Sequence, residues 1–191
     1  MKSSKGKLIV IVAPSGSGKS TLMKRVRDDF KGDLFESISY TTRRIRPNEE
    51  DGVDYFFIEK SEFQTMIDQG DFVEWALVHG DYKGTSKTYV NKKLNEGADL
   101  IFDLDVQGTD VMKETFGDKA IAIFIKPPSF EVLEQRLRSR GTDSEQSINT
   151  RLKNAKVELE RSDDYDYSIL NDDIDLAYNR LKLLLIDIIR K

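Results

Sequence analysis

A short apolar segment that runs directly into a glycine-rich turn limits what this chain can fold into. Residues 8–12 read LIVIV, and residues 13–21 read APSGSGKST. A continuous run of this kind predicts a central strand of a parallel sheet that is covered on both faces. The helical pattern TLMKRVRDDF begins at Thr21. Strand, glycine-rich loop and helix in this order predict an α/β fold with a phosphate-binding loop at the carboxyl end of the strand.

The loop contains the residue types that a polyphosphate needs. Backbone N–H groups can surround a phosphate only where side chains leave room, as at Gly16 and Gly18, and the following helix adds the positive end of its dipole. We expect Lys19 to reach the β- and γ-phosphates of ATP and the Ser20 hydroxyl to bind Mg²⁺. Ala13 stands where the usual pattern has its first glycine. The expected ATP-binding residues of the loop are Ala13, Pro14, Ser15, Gly16, Ser17, Gly18, Lys19, Ser20 and Thr21.

The alternation of strand and helix returns in the second half of the chain. Candidate strands lie at residues 99–105, 120–125 and 167–170. Helical patterns separate these strands and close the chain, which predicts a parallel core sheet flanked by helices. A long polar helix, for which we expect a capping box at Asp143 and Gln146, has the composition of a mobile lid.

Residues 36–85 show a different pattern. Short candidate strands lie at residues 36–40, 55–58 and 72–78, and a capping box at Ser61 and Gln64 predicts a helix between them. The pattern predicts an inserted lobe with a mixed or antiparallel sheet. We therefore expect a single domain over residues 1–191. Its core would comprise residues 1–35, 86–127 and 160–191, its lobe residues 36–85, and its lid residues 128–159.

Composition narrows the classes of function. The net charge of -4 argues against a protein that coats nucleic acid, because phosphate neutralisation needs a basic face. No segment approaches the ~18 apolar residues of a membrane span. The chain has no cysteine, which excludes disulfides and thiolate-bound zinc and fits the cytoplasm. We therefore expect small-molecule partners and an oxygen-bound metal, and a homo-oligomer is left open.

Two acids end the predicted strand at residues 99–105. Ligands of open α/β sheets bind beyond the carboxyl ends of the strands, so Asp103 and Asp105 are expected near the phosphate loop. One of them would reach Mg²⁺ through water, and Asp105 is our candidate together with Ser20. Two alternatives stay open. Asp105 could simply cap the next helix, and Asp103 could serve a base instead of the ion.

A second site is indicated by the basic stretch TTRRIRP at residues 41–47. Three arginines within four positions repel one another unless solvent or an anion compensates them, and guanidinium groups match a phosphate monoester. Tyr55 and Tyr82 would add hydroxyls or serve packing alone. Glu74 lies in an otherwise apolar strand, where an unpaired carboxylate would be costly. Guanine offers N1–H and an amino group, the paired donors that a carboxylate accepts.

A third set of charges falls on the predicted lid. Its members are Arg136, Arg138, Arg140 and Arg151. Phosphoryl transfer depends on positioning and charge neutralisation, so arginines on a closing lid are the expected parts. No general base is required, and we assign no catalytic role to the lone His79.

Seven stretches in this order resemble the guanylate kinase family across nearly the whole chain. They are APSGSGKST, SYTTRRIRPNEEDGVDY, FVEWA with GDYKGT after it, DLDVQG, RLRSRGTDSEQSINTRL and NDD. The resemblance implies the P-loop nucleoside-monophosphate kinase fold, with a core, a GMP-binding lobe and a helical lid. It also implies transfer of the γ-phosphoryl group of ATP to GMP, and to dGMP, with Mg²⁺.

The resemblance further implies roles for individual residues. Ser39, Glu74, Thr85 and Asp103 would surround the guanine, and Arg43, Arg46 and Tyr55 would hold the GMP phosphate. Arg136, Arg140 and Arg151 would surround the transferring phosphoryl group together with Lys19 and Arg43, and Asn171 would lie near the adenine. The family usually has two tyrosines where this chain has Tyr82 and Lys83. We expect Lys83 to replace the second hydroxyl as a point charge.

Two alternatives to a GMP kinase remain. Guanylate-kinase-like domains of scaffold proteins bind peptides without catalysis, but they typically lack a working phosphate loop, whereas Gly18, Lys19 and Ser20 are intact here. The other alternative is a P-loop kinase for a different small acceptor.

Overall fold

A computed structural model of the chain describes residues 6–47, 49–78, 80–139 and 144–190, apart from the side chain of Val78. Its strands are β1 (Leu8–Val12), β2 (Leu34–Glu36), β3 (Tyr40–Thr41), β4 (Phe56–Phe57), β5 (Phe72–Val78), β6 (Asp81–Ser86), β7 (Asp99–Leu104), β8 (Ala120–Lys126) and β9 (Tyr167–Leu170). Its α-helices are α1 (Lys19–Asp29), α2 (Lys60–Asp68), α3 (Lys87–Asn95), α4 (Val106–Phe116), α5 (Phe130–Ser139), α6 (Glu145–Glu160) and α7 (Ile174–Arg190).

The central sheet has five parallel strands in the order β2-β7-β1-β8-β9. The side chains of β1 are completely buried, as its continuous apolar sequence predicts. Helices α1 and α7 cover one face of the sheet, where Leu22 and Leu181 pack with Ile9 and Ile11. Helices α3 and α4 cover the other face.

A second sheet has the order β4-β3-β6-β5. It is mixed, because β3 and β4 run parallel whereas β6 is antiparallel to both of its neighbours. Aromatic rings hold helix α2 against this sheet, since the Phe63 ring stacks on Phe72 and Tyr82 at centroid distances of 4.3 and 5.2 Å. Val73 of β5 belongs to the core cluster under α3 and α4, which attaches this sheet to the central one.

The predicted fold class is confirmed: a parallel core sheet lies between helices, and a second, mixed sheet is inserted. The bounds of β5 and β9 agree with the sequence patterns, whereas the single strand predicted at residues 36–40 is wrong. The chain leaves the central sheet after Glu36 and enters the second sheet at Tyr40, so this segment contributes to two sheets. The division into core, lobe and lid at the stated residues stays a prediction.

Both predicted capping boxes need correction. Helix α2 begins at Lys60 with Glu59 at its N-cap, so Ser61 lies inside the helix. Helix α6 is capped by Ser144, whose hydroxyl accepts a hydrogen bond from the N–H of Ser147, while Asp143 lies outside the described residues. In the parts of the chain that the structure describes, no helix is both long and apolar enough to cross a membrane.

Helix α7 offers a matched test of the packing. Leu181 is completely buried on this helix, whereas Leu183 is 69% exposed. We expect Leu181→Ala to lower the free energy of unfolding by about 2–5 kcal/mol, because it leaves a cavity against the sheet. Leu183→Ala should change that free energy by less than about 0.5 kcal/mol. Urea unfolding of both variants checks this, and equal losses would contradict the assigned packing.

Candidate active site

The loop between β1 and α1 has a backbone that requires glycine at two positions. Gly16 and Gly18 adopt φ values of 93° and 89°, which side-chain-bearing residues rarely do. Space is also lacking, since a Cβ on Gly18 would lie 2.3 Å from Nδ2 of Asn171. A Cβ on Gly16 would lie 3.0 Å from Cγ of Leu137. The loop therefore packs tightly on the protein behind it, as a cradle of backbone N–H groups requires.

Lys19 is the first residue of α1, and its side chain reaches across to strand β7. Its Nζ donates a hydrogen bond to the Leu104 carbonyl oxygen at 2.8 Å and lies 2.6 Å from Oδ1 of Asp103. The parallel register places Asp103 beside Ile11 of β1, which brings the two strand ends together. A phosphate entering the loop would compete with Asp103 for this ammonium group.

Asp105 caps helix α4. Its Oδ1 accepts a hydrogen bond from the N–H of Gly108 at 2.8 Å, so the capping role that we held open does occur. Ser20 lies exposed in the first turn of α1. Within the described residues, no three His, Asp or Glu side chains converge as a metal cage. A few oxygen donors beside a phosphate cradle fit Mg²⁺, which usually binds one or two protein oxygens, water and substrate phosphates.

The basic stretch is organised by a carboxylate that sequence reasoning missed. The Nη2 atom of Arg43 donates to both carboxylate oxygens of Glu49, at 2.8 and 3.0 Å. Glu49 also accepts a hydrogen bond from the backbone N–H of Arg46 at 2.9 Å. These bonds hold the pKa of Glu49 below its usual value, the one from Arg43 having the larger effect. The only signal in the sequence was an acid three positions after Arg46.

Two adjoining cavities bring most of the predicted acceptor residues together. One is lined in part by Ser39, Tyr55, Lys83, Thr85 and Asp103. The other is lined in part by Arg43, Arg46, Tyr55, Tyr82 and Lys83. Because Tyr55 and Lys83 line both, the two cavities are adjacent, and together we call them the cleft. The Nζ atom of Lys83 lies 5.3 Å from the centre of the Tyr55 ring, where the ammonium group attracts the π electrons.

Glu74 joins this cleft through Thr85. The two residues are paired across β5 and β6, and Oγ1 of Thr85 donates to Oε1 of Glu74 at 2.8 Å. Burial raises the pKa of Glu74, while the hydrogen bond from Thr85 and the charge of Lys83 oppose that shift. Glu74 is therefore a partly dehydrated acceptor, and a ligand with paired N–H donors would stabilise its ionised form.

One of the arginines predicted on the lid contacts the loop, and another contacts Asn171 behind it. Arg136 donates from Nη2 to the carbonyl oxygen of Asn171 at 3.2 Å, and Arg151 donates from Nη1 to Oγ of Ser15 at 3.1 Å. Arg138 forms ion pairs with Glu134 and Glu145 on the helix surface. Arg140 and His79 lie outside the described residues.

Asn171 and Glu158 lie behind and beside the loop. The side chain of Asn171 is buried, and its Nδ2 donates to the Ser17 carbonyl oxygen at 2.6 Å. Sequence reasoning missed Glu158 of α6, because acids are common on that polar helix. Burial raises the pKa of Glu158, the nearby charge of Asp105 raises it further, and Lys19 opposes the shift.

Comparisons with known proteins agree on one family. The family profile described as guanylate kinase matches residues 5–187. The guanylate kinase of Desulfotalea psychrophila is 49% identical over 181 residues, which cover 95% of this chain and 89% of the relative. That of Rickettsia bellii is 42% identical over 186 residues, covering 97% and 96%. The crystal structure of guanylate kinase from Anaplasma phagocytophilum is similar with a TM-score of 0.69 and 29% identity, covering 98% of this chain and 88% of that one.

The raised pKa of Glu74 predicts a pH-dependent stability difference. The folded protein holds this proton more tightly than the unfolded chain, whose carboxyl pKa is about 4.3. Stability relative to Glu74→Gln is therefore fully present below that unfolded pKa and is lost as pH rises through the folded pKa. Urea unfolding of both proteins at a series of pH values measures the difference. A stability of the unchanged protein, relative to Glu74→Gln, that stays constant or increases as pH rises would contradict this environment for Glu74.

Proposed function

The chain belongs to the guanylate kinase family, and on that premise we propose that it transfers the γ-phosphoryl group of ATP to GMP, giving ADP and GDP. The family and its relatives are named guanylate kinase, and a guanylate kinase is an ATP:GMP phosphotransferase. The observation that carries the proposal for this chain is the cleft, whose two adjacent cavities are lined by the arginines and by Asp103. Asp103 is ion-paired with the loop lysine, so an acceptor in this cleft would lie next to a donor in the loop.

Guanine recognition would rest on Glu74 and its neighbours. The carboxylate would accept from N1–H and the amino group of the base, and Thr85, Ser39 and Asp103 would complete the pocket. Adenine has a hydrogen-bond acceptor at N1, so N1 and the carboxylate would face each other as two acceptors and could not form a hydrogen bond. Because burial raises the pKa of Glu74, the two donors would also recover part of the cost of its dehydration.

The monophosphate would lie at the other end of the cleft. Arg43 and Arg46 would bind it with Tyr55 and Tyr82, and Lys83 would add a charge where the family usually has a hydroxyl. The guanidinium group of Arg43 is held by Glu49 on one side, so its geometry is set before the phosphate arrives. Such preorganisation reduces the entropy that binding would otherwise cost.

The donor would occupy the loop at residues 13–21, with Lys19 moving from Asp103 to the phosphates. Ser20 would hold Mg²⁺, with Asp105 acting through water. The ion would neutralise charge on the β- and γ-phosphates. Lys19, Arg43, Arg136, Arg140 and Arg151 would bind and orient the transferring group, which needs neutralisation more than a general base. Closure of the lid at residues 128–159 on the core and the lobe would exclude water.

We include dGMP among the acceptors, because the proposed contacts go to the base and the phosphate and not to the sugar, where GMP and dGMP differ. We place the reaction in the cytoplasm, which the absence of cysteine supports.

A protein-binding role without catalysis is the second candidate. The intact loop argues against it, since Lys19 already lies between the loop and β7.

The direct test supplies the purified protein with ATP, Mg²⁺ and a panel of acceptors: GMP, dGMP, AMP, dTMP and UMP. We expect the highest turnover with the guanine nucleotides. Higher turnover with another base would reject GMP as the substrate, and no turnover with any acceptor would favour the protein-binding role.

Glu74→Gln tests the base contact. The variant keeps the shape but offers an amide instead of a charged acceptor, so we expect kcat/KM for GMP to fall by about 10- to 100-fold. The KM for ATP should stay unchanged. Glu62→Gln, an exposed residue of α2, is the matched control. Steady-state kinetics with unaltered GMP turnover in Glu74→Gln would remove this residue from the proposed pocket.

Lys83→Tyr tests the departure from the family pattern. An ammonium group near a phosphate is screened by salt, whereas a phenol is not. We expect the KM for GMP to rise less with added salt in this variant than in the unchanged protein. Lys92→Tyr on the exposed face of α3 controls for the change in net charge. If Lys83→Tyr leaves both the KM and its salt dependence unaltered, Lys83 does not contact the phosphate.

A further inference from the structure

Asn171 joins three parts of the molecule at one point. Its side chain, with the residue only 2% exposed, donates from Nδ2 to the Ser17 carbonyl oxygen at 2.6 Å. Its backbone N–H donates to the Lys126 carbonyl oxygen at 2.7 Å, at the end of β8. Its carbonyl oxygen accepts the hydrogen bond from Arg136 of α5. The phosphate loop, the central sheet and an arginine of the proposed lid therefore meet at this residue.

The hydrogen bond to Ser17 has a consequence for the loop. In a trans peptide unit the C=O and the following N–H point in opposite directions. Holding the Ser17 carbonyl toward Asn171 therefore turns the Gly18 N–H away from the protein interior, to the side where an anion can bind. The close approach of the two residues supports this orientation, because a Cβ on Gly18 would lie 2.3 Å from Nδ2.

We propose that Asn171 is a positioning residue for the donor phosphates. It sets the Ser17–Gly18 peptide so that the Gly18 N–H faces the triphosphate, and it acts on every ligand of the loop whatever base that ligand carries. The inference rests on one part of the proposed function, namely that the loop binds the phosphoryl donor. It differs from a contact between Asn171 and the adenine, which would act on the base alone.

Two variants separate these roles. Asn171→Asp keeps the shape but replaces the donor by an oxygen that faces the Ser17 carbonyl, and Asn171→Ala removes the side chain. Ile169→Ala is the control, because Ile169 is a buried core residue of β9, the strand that ends just before Asn171. It should destabilise β9 without changing the loop peptide.

The measurement is calorimetric binding of the Mg²⁺ complexes of ATP and of inorganic tripolyphosphate, without an acceptor. We expect both Asn171 variants to weaken both ligands by the same factor, of about tenfold. Ile169→Ala should lower Tm and leave both dissociation constants unchanged. In kinetics, the KM for ATP should rise in the Asn171 variants while the KM for GMP stays unchanged.

Each other outcome rejects the inference in a recognisable way. Weaker ATP binding with unchanged tripolyphosphate binding would assign Asn171 to the base. Lower Tm with unchanged binding of both ligands, as in Ile169→Ala, would leave it a purely structural role. Because no acceptor is present, an error in the proposed GMP site would not affect this result. If the unchanged protein binds neither ligand, the donor site itself is wrong and the proposed function fails with the inference.

Discussion

Burial of strand β1 on both faces is the constraint on which the rest of the site depends. Its five side chains are completely buried between two layers of helices, so the strand has one position in the sheet. The loop that follows is therefore fixed at its start, and Lys19 at its end begins α1. The register with β7 then places Asp103 within ion-pair distance of that lysine. The buried packing of β1 thus determines where the charges of Lys19 and Asp103 meet, because the two residues follow or end adjacent strands.

The cations of the cleft already have interactions before a substrate binds. Lys19 contacts Asp103, Arg43 contacts Glu49, and Lys83 lies over the ring of Tyr55. Such interactions hold the side chains near their proposed working positions. The side chains of the two ion pairs are only 18–35% exposed, so a phosphate that displaces a carboxylate must itself compensate the cation. The proposed ligands carry the negative charge that this exchange requires.

The central fold could be predicted from sequence because its elements are long or continuously apolar. The patterns of β1 and β5 needed no knowledge of their neighbours. Short elements could not be placed in this way. Residues 36–40 divide between two sheets because strand partners distant in the sequence decide the pairing. Glu49 and Glu158 were missed for a related reason, since their importance depends on what lies beside them. The assigned roles of the site residues stay predictions.

The central claim is that the cleft holds GMP beside a donor in the loop. A crystal structure with GMP, Mg²⁺ and a non-hydrolysable ATP analogue tests it most directly. Our account predicts the guanine edge at Glu74, the monophosphate at Arg43 and Arg46, and Lys19 on the triphosphate instead of Asp103. GMP bound outside this cleft, or Lys19 still paired with Asp103 beside a bound triphosphate, would contradict the account.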